Sequence, residues 1–505
     1  MKNIADPLFF FACYTTVFLA ILTFTLTNMA GVYIVSDIGG SPEIAVYTIC
    51  YYGFGNAIGV PLGRALRGLF GTGRLLVYCL LLFLLFTILC GTAPTYPIFV
   101  GYRFFLGLVS GPFYVLIGEL LETNSTPEQK HSVSATLLML FTVVPALGAG
   151  LGGWIGYESH WRWLFHITVP IIAWLAWFFW RRIRDLPPNP SAPPMDGVGF
   201  WFLALGVFCL GTVATTIQQL DWYRSPTINI CEVVGGLSLL FFILWDLHHP
   251  NPILNVRLFK NLVFCFSFVN IALLFATYFG SIILLTMWLQ LYAEYTPLWI
   301  SVLIGSMILA AAIPSVLIHK RYEHLDRRIP IAISLVLLAT SCFYSSTFDV
   351  EINFGRLAFT RLLTGFGLAF FLPPLFQLCT RSVGAAKTTE GIELFQMARI
   401  LGSALGGGIF LIVWQRRQVF YHYRLGGALT PLSEVTQQFF VQAKRFHLEG
   451  QYATAQLNDY LDRQATALGL EDTFYLMGWI IVGLCVLLLL TFLIRSPETR
   501  SFRAG

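Results

Sequence analysis

Charge is what this sequence has least of. Only 11% of its residues are Asp, Glu, Lys or Arg, where a soluble domain carries about 25%. A chain so poor in charge cannot cover a water-facing surface, which excludes a soluble globular protein. Paired cysteines are missing too. The ten cysteines are scattered and none stands in a Cys-x2-Cys pair, so each reads as a small buried hydrophobe. No Gly-x4-Gly-Lys-Ser/Thr loop occurs, which removes ATP hydrolysis as a driving force. There is no His-Glu-x2-His, no zinc spacing and no Ser/His/Asp constellation, so an enzyme, a metal centre and a bound cofactor are not expected. The net charge of +5 is modest, and no nucleic-acid partner is expected.

What the chain has instead is apolar length. It is 56% hydrophobic and 16% aromatic, and apolar runs of about 20 residues, enough to cross the hydrocarbon core as helices, recur from end to end. Fourteen runs can be marked, centred near residues 20, 53, 83, 111, 143, 172, 208, 237, 276, 306, 338, 367, 402 and 483. The expectation is an all-α polytopic membrane protein of 14 spans in the lipid bilayer. MKNIADPLFFFACYTTVFLAILTF has no small-residue cleavage site and reads as a retained first span.

Basic residues orient the spans. Lys2, Arg64, Arg67, Arg74, Lys130, Arg181, Arg182, Arg184, Arg257, Lys260, Lys320, Arg321, Arg327, Arg328, Arg381, Lys387, Arg495, Arg500 and Arg503 all fall on one side. The short loops opposite carry only Arg162 and Arg224. Both termini are therefore expected in the cytoplasm. Residues 415–472 form a long non-cytoplasmic connection with helical periodicity and Ser433 as an N-cap.

The chain also repeats itself. Residues 103–122 read RFFLGLVSGPFYVLIGELLE, and residues 361–380 read RLLTGFGLAFFLPPLFQLCT. Each is a membrane-length run headed by Arg-x3-Gly. GAGLGGWI (148–155) is echoed by SALGGGIF (403–410), and the basic loop VPLGRALRGLFGTGRLL (60–76) by IPSVLIHKRYEHLDRRI (313–329). Two six-span halves follow, residues 1–185 and 251–505, with two extra spans in 186–250. Such duplication puts a substrate site between the halves at mid-membrane.

These features, with WRWLFHITVP (161–170), Asp221-Trp222, NPILNVRLFKN (251–261) and Gly391-x7-Arg399-x2-Gly402, resemble the fourteen-helix drug–proton antiporters of the EmrB/QacA type in the major facilitator superfamily. The resemblance covers essentially the whole chain. It implies a major facilitator fold and export of a small organic substrate in exchange for protons across a bacterial inner membrane. For the long outer connection it implies docking of a periplasmic adaptor protein. Three positions depart from the family pattern. Thr23 stands where an aspartate is usual, Ala149 replaces a proline, and Gly68 lies near a usually acidic position.

Candidate residues follow from burial. An arginine inside a span must face a wet cavity, find a partner or snorkel outward, which singles out Arg103 and its copy Arg361. The resemblance ties Arg103 to proton coupling, with Thr23 in the place of its acidic partner. Glu119 lies a turn deeper than Glu122, where burial would let it titrate, and Glu393 and Arg399 are a second acid–base set. Asn28, Tyr51, Asn56, Asn270, Tyr278 and Gln377 are candidates for the substrate cavity. Gly148, Gly150, Gly152 and Gly153 allow close helix approach and a hinge. The expected function is proton-driven export of a small amphipathic molecule. The alternative is an importer or siderophore-type carrier of the same fold with altered coupling.

Overall fold

A computed structural model describes residues 6–183, 195–318, 326–384 and 387–493. Among the described residues every regular element is helical. The α-helices are α1 (Pro7–Thr25), α2 (Thr27–Ile38), α3 (Tyr47–Phe70), α4 (Thr72–Gly91), α5 (Tyr96–Asn124), α6 (Pro127–Glu158), α7 (Trp163–His166), α8 (Val169–Ile183) and α9 (Gly197–Thr216). They continue with α10 (Pro226–His248), α11 (Leu262–Leu291), α12 (Pro297–Ile318), α13 (Arg328–Ser345), α14 (Phe354–Val383), α15 (Thr388–Gly426), α16 (Glu434–Arg445) and α17 (Gln451–Leu493). Lys2, Arg184, Lys320, Arg321, Arg495, Arg500, Arg503 and the boundary at residues 185–186 lie outside the described residues.

Local sequence explains where helices begin. Asp6 caps α1, accepting from the Phe9 amide at 3.3 Å. Asn261 caps α11 through the Val263 amide at 2.9 Å, and Asn353 caps α14 through the Arg356 amide at 3.0 Å. Twelve helices among the described residues are long and apolar enough to cross a membrane. Helix α3 is 24 residues long but carries Asn56, Arg64 and Arg67, and the apolar stretch of α12, Pro297–Ala312, is shorter. Large apolar side chains such as Trp201, Leu237, Leu309 and Leu489 are each more than 60% exposed on helix exteriors. In water that would be costly; against lipid it is the expected surface.

Packing repeats along the chain. In the first part α3 lies on α5, α4 on α5 and α8, and α1 with α2 on α6. In the second part α12 lies on α14, α13 on α14 and α17, and α11 on α15. The two sets meet along two seams, α6 with α12 and α3 with α15. The α9–α10 pair rests against the α3–α15 seam through α9.

The glycine faces set the closeness of these contacts. A Cβ on Gly152 would lie 1.9 Å from the Leu26 carbonyl oxygen, and one on Gly148 would lie 2.1 Å from the Thr25 hydroxyl. Gly153 meets Met29 in the same way. In the second part a Cβ on Gly406 would lie 2.2 Å from the Ala276 carbonyl oxygen. Gly150 points elsewhere, and a Cβ there would lie 3.7 Å from its nearest neighbour, Ser301 of α12. Ser301 Oγ donates to the Gly150 carbonyl at 2.8 Å, tying the α6–α12 seam.

The stretch 415–472 is mostly continuation of its flanking helices. Helix α15 has 39 residues and α17 has 43, about 58 and 64 Å at 1.5 Å per residue, so both overrun a core of roughly 30 Å. Trp414 Nε1 donates to the Thr466 carbonyl at 2.9 Å, and Arg417 meets Asp472 at 2.7 Å, so the overhangs pack on each other. Helix α16 packs against α17, with Phe439 edge-on to Tyr460, and has Ser433 at its N-cap position but makes no side-chain capping bond.

Candidate functional site

Arg103 is fully buried on α5 and does not snorkel. Its Nε donates to the Thr48 carbonyl at 3.0 Å, Nη1 to the Thr23 carbonyl at 2.8 Å, and Nη2 to the Phe24 carbonyl at 3.2 Å and Thr27 Oγ1 at 3.1 Å. The Tyr52 ring lies 4.5 Å below the guanidinium carbon. Two of these acceptors, the Thr23 and Phe24 carbonyls, are free because the first apolar run breaks at Leu26, between α1 and α2, whereas the Thr48 carbonyl belongs to the first turn of α3. Thr23 thus serves Arg103 through its backbone, while its own Oγ1 has no partner. Each group that Arg103 donates to is neutral.

Arg361 occupies the matching position on α14 and is also buried, at 2% exposure. Its contacts are sparse. Nε reaches Thr360 Oγ1 and Nη2 reaches Ser345 Oγ, both at 3.4 Å, and Nη1 has no partner.

Glu393, on α15, is fully buried and meets the other half of the molecule. Arg64 of α3 points Nε at both carboxylate oxygens, at 3.0 and 2.9 Å. Arg64 also donates through Nη2 to the Ile253 carbonyl at 2.7 Å. One guanidinium therefore links α3, α15 and the segment before α11. Nearby, Glu390 accepts from Asn255 at 2.5 Å. Glu119 does not share this environment. Its side chain is 36% exposed and pairs with Arg67 at 2.8 Å, so the burial that suggested it as a titrating group is absent.

Arg399 lies six residues beyond Glu393 on α15, about 9 Å further along the axis. It is 2% exposed. Its guanidinium carbon sits 4.2 Å from the Phe141 ring centre of α6 and 5.6 Å from those of Tyr114 of α5 and Phe275 of α11. Nε donates to Gln396 at 2.8 Å, and Nη2 has no partner. Aromatic faces from both halves hold this cation.

The cavity candidates divide. Asn56 is buried, donates to Ser110 Oγ at 2.6 Å and keeps an unpartnered Oδ1. Asn28 and Asn270 also present unpartnered Oδ1 atoms, and Asn270 donates back to the Phe266 carbonyl of its own helix at 2.9 Å. Tyr278 is 4% exposed with an unpartnered hydroxyl. Tyr51 turns to the α9–α10 pair, bonding Thr212 at 3.2 Å and packing on Phe208. Gln377 accepts from Arg327 Nε at 3.0 Å near the end of α14. Neither of these two joins the interior group. Sequence reading overlooked Arg64, Tyr114, Phe141 and Phe275. Arg64 served only to orient the spans, and no pattern links it to a residue 329 positions away.

A family model described as Major Facilitator Superfamily matches residues 13–407. The chain belongs to the major facilitator superfamily. This major facilitator protein is similar to the multidrug export protein EmrB of Haemophilus influenzae, 29% identical over 93% of this chain and 92% of that protein. It is 27% identical to EmrB of Escherichia coli K12 over 94% and 92%. The fatty acid resistance protein FarB of Neisseria gonorrhoeae is 26% identical over 91% and 90%. Among solved structures, a peptide transporter POT has a TM-score of 0.60 at 14% identity over 95% and 94% of the two chains. The human organic anion transporter MFSD10 (TETRAN) has a TM-score of 0.56 at 13% identity over 96% and 100%. These two show the shared fold. The chain is thus a multi-pass membrane protein of the major facilitator superfamily, and its motifs resemble those of these export proteins.

Proposed function

We propose that this protein exports a small amphipathic organic molecule across the bacterial inner membrane by proton antiport, with Glu393 as the proton-carrying group. The observation that carries the reading is the buried Arg64–Glu393 pair joining α3 to α15. Protonating Glu393 removes the charge that holds Arg64 and frees the two helices to part on the side of Glu393. Deprotonation restores the link. The donors of Arg103 are taken up by three carbonyls and one hydroxyl without an acid at position 23, so the coupling role passes to α15.

Arg399 supports a substrate with an acidic head. Its open Nη2 is a charged donor, and the Phe141, Tyr114 and Phe275 rings offer apolar surface beside it. The names of two relatives, multidrug export and fatty acid resistance, accord with an amphipathic cargo. Counting α3 and α12 with the twelve apolar helices gives 14 spans, both termini cytoplasmic, in two six-helix halves flanking α9 and α10. The α15–α16–α17 overhang is the docking surface for a periplasmic adaptor. Replacing α16 with a Gly/Ser linker should abolish adaptor co-purification; retention would remove that assignment.

Accumulation of a labelled medium-chain fatty acid in expressing cells, with and without a protonophore, tests direction and coupling together. Low accumulation that rises when the gradient collapses supports export. Accumulation that requires both the protein and the gradient supports import and overturns the proposal.

A further inference from the structure

The segment between α10 and α11 supplies a partner to the Arg64–Glu393 pair. It reads HPNPILNVRLFKN over residues 249–261. Pro250 and Pro252 lack amide hydrogens and keep the residues before them out of helical conformation, so the carbonyls here are not spent on a helix. Arg64 Nη2 uses two of them, Ile253 at 2.7 Å and Pro252 at 3.5 Å. The stretch is held firmly. Ile253 and Leu254 are 3% and 2% exposed. Asn255 donates to Glu390, three residues before Glu393 on α15, and Arg257 donates to the Leu247 and His249 carbonyls at 3.0 and 2.9 Å.

The remaining anchor is Asp246, fully buried in the last turn of α10. Its Oδ2 accepts from the Val256 amide at 2.9 Å. An ionisable group buried in a membrane protein is costly unless it has a task, and what an aspartate offers here that a leucine would not is this acceptor. The charged groups facing Asp246 are Asp196, at the start of α9, and Arg257 of the segment. Asp196 Oδ1 in turn accepts from the Gly199 amide at 2.9 Å and from Trp245 Nε1 at 3.1 Å. The hydrogen bonds thus run from α9 to the end of α10, from there to the segment, and from the segment to Arg64.

We propose that Asp246 is a positioning residue for the Arg64–Glu393 pair. It fixes the 252–256 stretch through the Val256 amide, and the Ile253 carbonyl so held aims the Arg64 guanidinium at Glu393. The α9–α10 pair, otherwise turned largely to lipid, is the base on which that aim rests. The charged groups facing Glu393 itself are Arg64 and Arg67 of α3 and Glu390 of its own helix. The bearing of Asp246 on transport rests on the reading of Glu393 as the proton carrier.

Two readouts on the full-length protein separate the two claims. The first is the coupling between Arg64→Gln and Glu393→Gln, taken from thermal unfolding midpoints. Val256→Pro removes the amide hydrogen, keeps every carboxylate and suits the first position of the helical turn Val256–Lys260. In that background the coupling should shrink by about half or more. Asp246→Leu, which removes the acceptor, should do the same. The second readout is the pH of half-maximal substrate–proton exchange in proteoliposomes. It should rise in Val256→Pro by about one pH unit, roughly the worth of one charge-assisted hydrogen bond, because a less fixed Arg64 opposes protonation of Glu393 less. Undiminished coupling in both backgrounds would overturn the positioning role. So would coupling lost in Asp246→Leu and kept in Val256→Pro, since the charge of Asp246 and not its hydrogen bond would then matter. Reduced coupling with an unmoved pH profile would uphold the positioning role and count against Glu393 as the proton carrier.

Discussion

Removing the two partners of the Arg64–Glu393 pair should have unequal effects. Glu393 is fully buried, while the Arg64 side chain is 22% exposed and keeps the Ile253 carbonyl at 2.7 Å. Arg64→Gln leaves a carboxylate in the interior with its cation gone, a loss of about 3–5 kcal/mol for a buried pair broken from one side. Glu393→Gln leaves an arginine that still has a carbonyl and reaches water, so the loss is about 1–2 kcal/mol. The double variant has no stranded charge and should resemble Glu393→Gln, so the coupling equals the Arg64→Gln loss, about 3–5 kcal/mol. Thermal unfolding in detergent, followed with a thiol-reactive dye, reads this directly. Cys13, Cys50, Cys79, Cys90, Cys209, Cys342 and Cys379 are buried and free, and become reactive only on opening. The midpoints should rank Arg64→Gln lowest, with the double variant above it. Additive losses, or a double variant below Arg64→Gln, would refute the reasoning.

Three further outcomes are expected. Arg399→Gln should raise the KM for an amphipathic acid about 10-fold or more, the worth of a charged hydrogen bond, and leave that for an uncharged amphipathic compound unchanged; vesicle uptake with both compounds decides it. Gly152→Ala should lower the folded yield, since its Cβ would lie 1.9 Å from the Leu26 carbonyl and overpacking costs about 1–3 kcal/mol, while Gly150→Ala should be tolerated; fluorescence-detected size exclusion of both variants checks this. Asp6 accepts from Arg182 through both oxygens, at 2.6 and 2.7 Å, and this hydrogen bonding holds its carboxyl below the usual carboxylate range. The native state then binds fewer protons than the unfolded one. Its stabilisation is present above about pH 4, the ordinary aspartate value, and is lost as pH falls further. Asp6→Asn should flatten that acid limb of the unfolding midpoint against pH.

Much of the fold was legible because span length and repeat spacing act locally. All fourteen sequence-derived centres fall inside helices of the structure, since an apolar run of the right length has few alternatives in lipid. The break at Leu26 was not legible. TFTLTNMAG has no proline to force it, and its consequence, carbonyls offered to Arg103, depends on a helix about 80 positions away. Arg103 and Arg361 therefore looked equivalent in sequence and differ in partners. Glu119 was judged by depth along a helix, but lateral position decides exposure, and Arg67 holds it at a half-exposed edge. Glu393 stood out by its residue type, yet its role needed Arg64, which periodicity cannot pair with it. The stretch 415–472 has helical periodicity in the sequence, but length alone did not show that α15 and α17 run on into it.

The central claim is that Glu393 carries the proton exchanged for substrate. The most direct measurement is substrate-driven proton movement in proteoliposomes containing a trapped pH dye, for the unsubstituted protein and for Glu393→Gln. The account predicts proton flux opposite to substrate for the unsubstituted protein, and substrate binding without proton flux for Glu393→Gln. Proton flux at the same ratio in Glu393→Gln, or none in either protein, would contradict it.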